Sequence, residues 1–208
     1  MTMSIPAVSD RQMNELRIIA AKGAENANLA FSRWLKEKAR LEITDVSFVP
    51  FEDIVKNVGD ADRMVVSVLL RMNGDIEGNA VFVFSEESAA YLIEKVGKKK
   101  VSKLSELSTM NRSILEETGN IVGTAFLNSI VAHLDVSVST SAPAFIYDYA
   151  AAILEMAVME YAPVSDYALL FKTKFFEANT KIDGYFFILP SPESLSSLLE
   201  KIEGKENQ

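Results

Sequence analysis

The stretch SILEETGNIVGTAFLNSIVAHL, residues 113–134, contains two side chains whose types and spacing could support chemistry, Glu117 and Asn120. On a helix, residues three apart lie side by side, so the carboxylate and the carboxamide would point the same way. A carboxamide both donates and accepts hydrogen bonds and can orient a water molecule, while a carboxylate can pair with a cation of a partner. The pair could therefore assist a hydrolysis, although the same spacing is also common on solvated helix faces.

The apolar residues of this stretch predict the helix that would present the pair. They recur at three-to-four-residue spacing with no proline between them: Ile114, Ile121, Val122, Ala125, Ile130 and Leu134. Thr124 and Asn128 continue the polar face, as ordinary solvated residues would. Gly119 and Gly123 lie inside the helix, where a glycine costs about 1 kcal/mol relative to alanine. We therefore expect a neighbouring helix or a partner protein to approach the backbone there.

Composition narrows the classes of partner. The chain has 208 residues, a hydrophobic fraction of 49% and a net charge of −8, so we expect a globular protein that nucleic acid and anionic membranes repel. It has no cysteine and one histidine, His133, which argues against thiolate chemistry, zinc sites and Ser-His-Asp triads. No signal peptide and no apolar stretch of about 20 residues is present to enter or span a bilayer. A cytoplasmic protein is expected.

A segment of the chain is repeated. Residues 76–96 align without a gap on residues 182–202, at a constant offset of 106, and eight of the 21 positions are identical. Strand, cap and helix units share some features by physics alone, but an ungapped match of this length favours an internal duplication. The sequence therefore predicts one domain built from halves at about 9–97 and 106–203, joined by a linker at 97–105.

Each half predicts the same order of elements. Ser9 and Gln12 have the spacing of a capping box, so the first long helix should begin near Asp10. Strands are predicted at 41–50, 64–72, 78–84, 135–140 and 167–176. Residues 141–162 predict a full amphipathic helix in the second half. The fold class is α+β: two pseudo-symmetric α-β-β-β-α halves form one mainly antiparallel sheet covered by long helices.

Comparison of the two long helices shows that the pair of Glu117 and Asn120 has no counterpart at the equivalent positions of the first helix. An offset of 99 sets Ile18 against Glu117 and Ala21 against Asn120. One helix has the polar pair and the other has aliphatic side chains at the same positions. The fold itself therefore does not require the pair.

At these residues the chain resembles the CheC family of chemotaxis phosphatases, which includes CheX and the phosphatase-like part of FliY. The resemblance rests on ILEETGNIVG, which matches the Glu-x-x-Asn-Ile pattern of the family, on the duplicated halves and on the turn Gly74–Gly78. It covers essentially the whole chain. Many family members carry the motif in both halves, whereas this sequence has one intact copy.

The resemblance implies the reaction and its residues. The family removes the phosphoryl group from the aspartyl-phosphate of the response regulator CheY, and the motif assigns this role to Glu117 and Asn120. Asn120 would orient the attacking water, and Glu117 would pair with a lysine of the regulator's active site. Gly119 and Gly123 would let the helix come close to the partner. The resemblance implies no cofactor on this chain, because a divalent cation such as Mg²⁺ is expected on CheY.

A second, non-catalytic function also follows from the resemblance. CheC-type proteins bind the receptor deamidase CheD through the helix of the second half, and Asp148 occupies the place of an aspartate that the family uses there. We expect a docking helix at about 143–161, with Phe145, Asp148 and Tyr149 as an exposed cluster. The alternative to a phosphatase is therefore an adaptor that binds CheD or CheY with little or no catalysis.

Overall fold

A computed structural model describes residues 8–50, 53–54, 56, 60–101, 103–159, 167–177 and 180–204. The helices are α1 Asp10–Leu35, α2 Glu86–Gly97, α3 Thr109–Leu134, α4 Ala150–Met159 and α5 Pro192–Gly204. The strands are β1 Ala39–Pro50, β2 Met64–Gly74, β3 Gly78–Ser85, β4 Val138–Thr140, β5 Ala144–Tyr149, β6 Tyr167–Glu177 and β7 Thr180–Pro190. The predicted α+β class is confirmed.

The long helices begin at side-chain caps. The Ser9 hydroxyl accepts from the Gln12 backbone N–H at 3.2 Å while Gln12 Oε1 accepts from the Ser9 N–H at 2.8 Å, so the predicted capping box is present. Helix α3 begins four residues before the predicted stretch, because Ser108 caps it by accepting from the Asn111 N–H. Helix α1 ends at a left-handed C-cap on Lys36.

The strands form one antiparallel sheet in the order β1-β6-β7-β3-β2, and β4 and β5 share the outer edge of β2. In the middle of the sheet Val81 of β3 lies opposite Phe187 of β7. These residues are 106 apart, so this pairing has the register that a pseudo-twofold axis between the repeats would produce. Ser85 and Ser191 cap the helices that follow, each by accepting from an N–H three residues on. The division at 9–97 and 106–203 stays a prediction.

Helices cover both faces of the sheet. Helices α1, α2, α3 and α5 pack on one face, over a core that includes the rings of Phe126, Phe171 and Phe186. Phe126 of α3 meets Phe171 at 4.8 Å and Phe186 at 5.1 Å between ring centres. Helix α4 covers the other face through Ile153, Leu154 and Ala157 and their neighbours. No helix among the residues described is long and apolar enough to cross a membrane.

The prediction of a helix over 141–162 is wrong for its first half. Ala144–Tyr149 forms strand β5, paired with residues 64–69 of β2, and helix begins only at Ala150. The aromatic and β-branched side chains of AFIYDY suit a strand, and this strand satisfies backbone groups of β2 that the short β4 leaves unpaired. Residues 160–162 lie outside the described residues.

Candidate active site on helix α3

The glycines of α3 face the sheet. A Cβ atom built on Gly119 would lie 2.6 Å from Cβ of Val68, and one on Gly123 would lie 2.5 Å from Cδ1 of Leu70. Both glycines are buried, so α3 can lie close to β2. The prediction that they open the helix to a partner protein is therefore wrong. The close approach that the glycines indicated is made by a strand of the same chain.

A second side of α3 is held by α1. The buried Thr118 hydroxyl donates to the Ile114 carbonyl at 2.7 Å and accepts from Trp34 Nε1 of α1 at 3.1 Å. Three turns further along α3, the Ser129 hydroxyl accepts from Asn26 Nδ2 of α1 at 2.9 Å. These bonds, together with the glycine contacts, fix the rotation of α3 about its axis.

The remaining side of α3 carries the predicted pair. Glu117 is exposed and Asn120 is half-buried on the same face. The Thr124 hydroxyl donates to Asn120 Oδ1 at 3.3 Å, and Asn128 is exposed one turn later. Ile121, which the periodicity assigned to the apolar side, is only half-buried beside this face. The structure thus brings Glu117 and Asn120 together on an accessible helix face.

The edge strand β5 lies beside this face of the molecule. Phe145 of β5 packs partly against the core under α3, and the Arg112 guanidinium lies 5.6 Å from its ring centre. Tyr147, two residues on, donates to Glu86 of α2 at 2.6 Å. This bond to a carboxylate, together with burial, raises the pKa of Tyr147 to about 12. Strand β5, at the edge of the sheet, is therefore held against both α2 and α3.

The predicted cluster of Phe145, Asp148 and Tyr149 does not form. Side chains alternate between the faces of a strand, so Phe145 and Asp148, three residues apart, point to opposite faces. Asp148 is exposed and accepts from the Tyr149 N–H at 2.8 Å, and Tyr149 is exposed as well. A helix would have grouped all three, whereas the strand leaves Phe145 and Tyr149 on one face and places Asp148 on the other.

At the two positions equivalent to Glu117 and Asn120, α1 carries no such pair. Ile18 and Ala21 are exposed, Ile18 at 36% of its surface, where α3 has Glu117 and Asn120. A groove of about 720 Å³ lies between α1 and β1, lined in part by Ala21, and a second groove of about 410 Å³ lies near Tyr147. Neither groove is lined by Glu117 or Asn120. Within the described ranges no three acidic or histidine side chains are grouped to hold a metal ion.

The sequence analysis did not predict the contacts that Thr124 and Arg112 make. Thr124 was interpreted as merely solvated, yet its hydroxyl contacts Asn120. The signal was its position four residues after Asn120, which places the two side chains one turn apart on the same face. Arg112 gave no signal, because its contact with Phe145 depends on where β5 joins the sheet.

Comparisons with known proteins agree with this fold. No family model matches the chain. It is 26% identical over 195 residues to the CheY-P phosphatase CheC of Bacillus subtilis, covering 92% of this chain and 93% of the relative. The structure resembles FliY of Thermotoga maritima, with a TM-score of 0.75 at 14% identity, over 96% of this chain and 99% of that one. It also resembles a CheX-CheY-BeF3-Mg complex of Borrelia burgdorferi, with a TM-score of 0.54 at 18% identity, over 82% and 96%.

The antiparallel sheet under paired long helices is the fold of the FliY and CheX structures, and in this chain a Glu-x-x-Asn pair faces outward from one of those helices. The solved structures by themselves support the fold alone. Over nearly its full length the chain is also similar in sequence to CheY-P phosphatases named CheC, at 26% and 22% identity, and it carries the sequence Glu117-x-x-Asn120 on α3.

Proposed function

We propose that the protein hydrolyses the aspartyl-phosphate of phosphorylated CheY. The observation that carries the proposal is the outward-facing pair of Glu117 and Asn120 on α3. The sheet and α1 hold this helix in place. An aspartyl phosphate is an activated acyl phosphate, so a phosphatase needs to supply mainly positioning and charge matching. Mg²⁺ would be held by CheY, and this chain would contribute side chains only.

The two residues take different roles. Asn120 is half-buried and bonded to Thr124, so its carboxamide is suited to orient the attacking water. Glu117 is exposed, so its carboxylate is suited to pair with a lysine of CheY as the two proteins dock. The pair lies outside both grooves, on an open helix face, which suits a protein substrate better than a small molecule.

In the proposed reaction the water oxygen forms a bond to phosphorus as the bond from phosphorus to the aspartate oxygen breaks. The electron pair of the broken bond restores the aspartate carboxylate. The water proton passes to the departing inorganic phosphate or to solvent, so no other reactant is needed. Phosphate release from phosphorylated CheY, followed with this protein at about a hundredth of the CheY concentration, tests the proposal. Many turnovers are expected, and a rate equal to that of CheY alone would contradict it.

Changing Glu117 to alanine is expected to weaken docking. Loss of one exposed ion pair should raise KM for phosphorylated CheY by about three- to fivefold at low salt. The effect should shrink at about 0.5 M salt, where surface charges are screened. Steady-state phosphate release at the two salt concentrations measures it. The matched control is Ile18→Ala with Ala21→Ser on α1, which should leave KM unchanged. An equal effect at both salt concentrations would rule out the ion pair.

The adaptor function remains the second candidate. Met156 and Met159 of α4 are exposed, at 46% and 70% of their surfaces, on the side of the sheet to which Asp148 of β5 also points. Exposed methionines suit an adaptable protein-binding surface. CheD as the partner stays a prediction.

Asp148→Lys tests the CheD surface. It should weaken CheD binding in a pull-down and leave thermal unfolding unchanged, because Asp148 is exposed and its bond to the Tyr149 N–H is local. Phosphatase activity should be unaffected, since Asp148 points away from the helix that carries Glu117. CheD capture at the wild-type level would place the docking surface elsewhere.

A further inference from the structure

We propose that Thr124 is a positioning residue that holds the Asn120 carboxamide in its working orientation. The inference rests on the proposed function. Its basis is the bond from Thr124 Oγ1 to Asn120 Oδ1, 3.3 Å long, between side chains one helical turn apart. Both side chains are half-buried, so bulk water competes only in part for this bond.

The hydrogen bond from Thr124 determines which end of the Asn120 amide faces phosphorylated CheY. The last torsion of an asparagine side chain is broad and roughly two-fold, so an isolated carboxamide exchanges its oxygen and nitrogen between two similar orientations. The Thr124 hydroxyl is a donor in this contact, and Oδ1 is the end of the amide that can accept. The bond therefore turns Oδ1 towards Thr124 and leaves Nδ2 and the second lone pair of Oδ1 for other partners.

That orientation matters for a water nucleophile. Such a water must present a lone pair to phosphorus, which requires that its protons be directed elsewhere. An amide whose donor and acceptor are already placed can hold the water in one orientation without reorganising during the reaction. An amide that rotates would hold it correctly only part of the time.

The equivalent position on α1 has the opposite hydrogen-bonding character. The offset of 99 sets Glu25 against Thr124. A carboxylate only accepts, so it would attract Nδ2 of an asparagine placed at Ala21 and turn the amide the other way. At the positions equivalent to Glu117, Asn120 and Thr124, α1 therefore has neither the Glu and Asn pair nor the orienting donor.

Thr124→Val and Thr124→Ser separate hydrogen bonding from packing. Valine keeps the shape and removes the hydroxyl, while serine keeps the hydroxyl and removes a methyl group. For phosphorylated CheY we expect Thr124→Val to lower kcat about tenfold, the typical size for one lost orienting bond, with KM unchanged. Thr124→Ser should stay within about twofold of wild type. Asn128→Ala, one turn further along the same exposed face, is the matched control and should change neither constant.

A double-mutant cycle completes the test. If Thr124 acts through Asn120, Thr124→Val should cause no further loss in an Asn120→Ala background. Equal losses for valine and serine, or an additive loss in the double variant, would overturn the positioning role. Full activity of Thr124→Val beside an inactive Asn120→Ala would overturn it too, while the proposed function would stand. Full activity of Asn120→Ala would instead remove the proposed function.

Discussion

Replacing Asn120 by alanine is expected to lower kcat for dephosphorylation of CheY by at least about a hundredfold, equivalent to roughly 2.7 kcal/mol of transition-state stabilisation. Binding of phosphorylated CheY should be almost unchanged. The reason is that an orienting hydrogen bond to the attacking water is made mainly in the transition state, so its loss affects kcat and leaves ground-state affinity intact. Single-turnover phosphate release measures the chemical step, and titration with CheY measures affinity.

Two controls separate catalysis from damage to the fold. Asn120 is half-buried, and within the part of the chain that the structure describes its side chain bonds to Thr124, so Asn120→Ala should change the free energy of unfolding by about 0.5 kcal/mol or less. The α1 double variant, Ile18→Ala with Ala21→Ser, alters the equivalent face and should retain wild-type kcat. Wild-type rates for Asn120→Ala would leave the adaptor as the better account of the protein.

Replacing Gly119 by alanine should destabilise the protein, by about 1–2 kcal/mol net. The new methyl group would lie 2.6 Å from Cβ of Val68 and 2.7 Å from one of its Cγ atoms. Val68 is buried, its branch point is fixed to β2, and its side chain has one strongly preferred rotamer, so it has little room to move. Overpacking typically costs about 1–3 kcal/mol, and because Val68 has little room to move we expect about 2–3 kcal/mol here. The better helix propensity of alanine returns about 1 kcal/mol. Urea unfolding measures the difference.

Gly123→Ala is the matched control for Gly119→Ala. Its nearest contact is Cδ1 of Leu70, the far end of a flexible side chain, which can turn away at small cost. The propensity gain then largely offsets the strain, and stability should stay within about 0.5 kcal/mol of wild type or rise slightly. Because a forced shift of α3 would displace Glu117 and Asn120 together, Gly119→Ala should also lower activity. Equal stability of the two alanine variants would contradict the proposed packing of α3 on β2.

Features that depend on interactions between residues close together in the chain could be predicted before the structure was known. The capping box at Ser9 and Gln12 lies within one turn, so its residue types and spacing were sufficient to predict the start of α1. The three-residue spacing of Glu117 and Asn120 placed them side by side for the same reason. The offset of 106 between residues 76–96 and 182–202 also needed only comparison of the chain with itself.

The contacts between those elements depend on the three-dimensional packing of the chain. AFIYDY, whose aromatic and β-branched side chains suit a strand, forms one because it pairs with the outer edge of β2, some 80 residues earlier in the chain. The interior glycines of α3 signalled a close approach, but the choice of Val68 and Leu70 over a partner protein depended on how α3 lies on the sheet. Non-local strand pairing and helix rotation are set by burial of whole faces. The spacing of residues within one element does not predict which strands pair or how a helix is rotated.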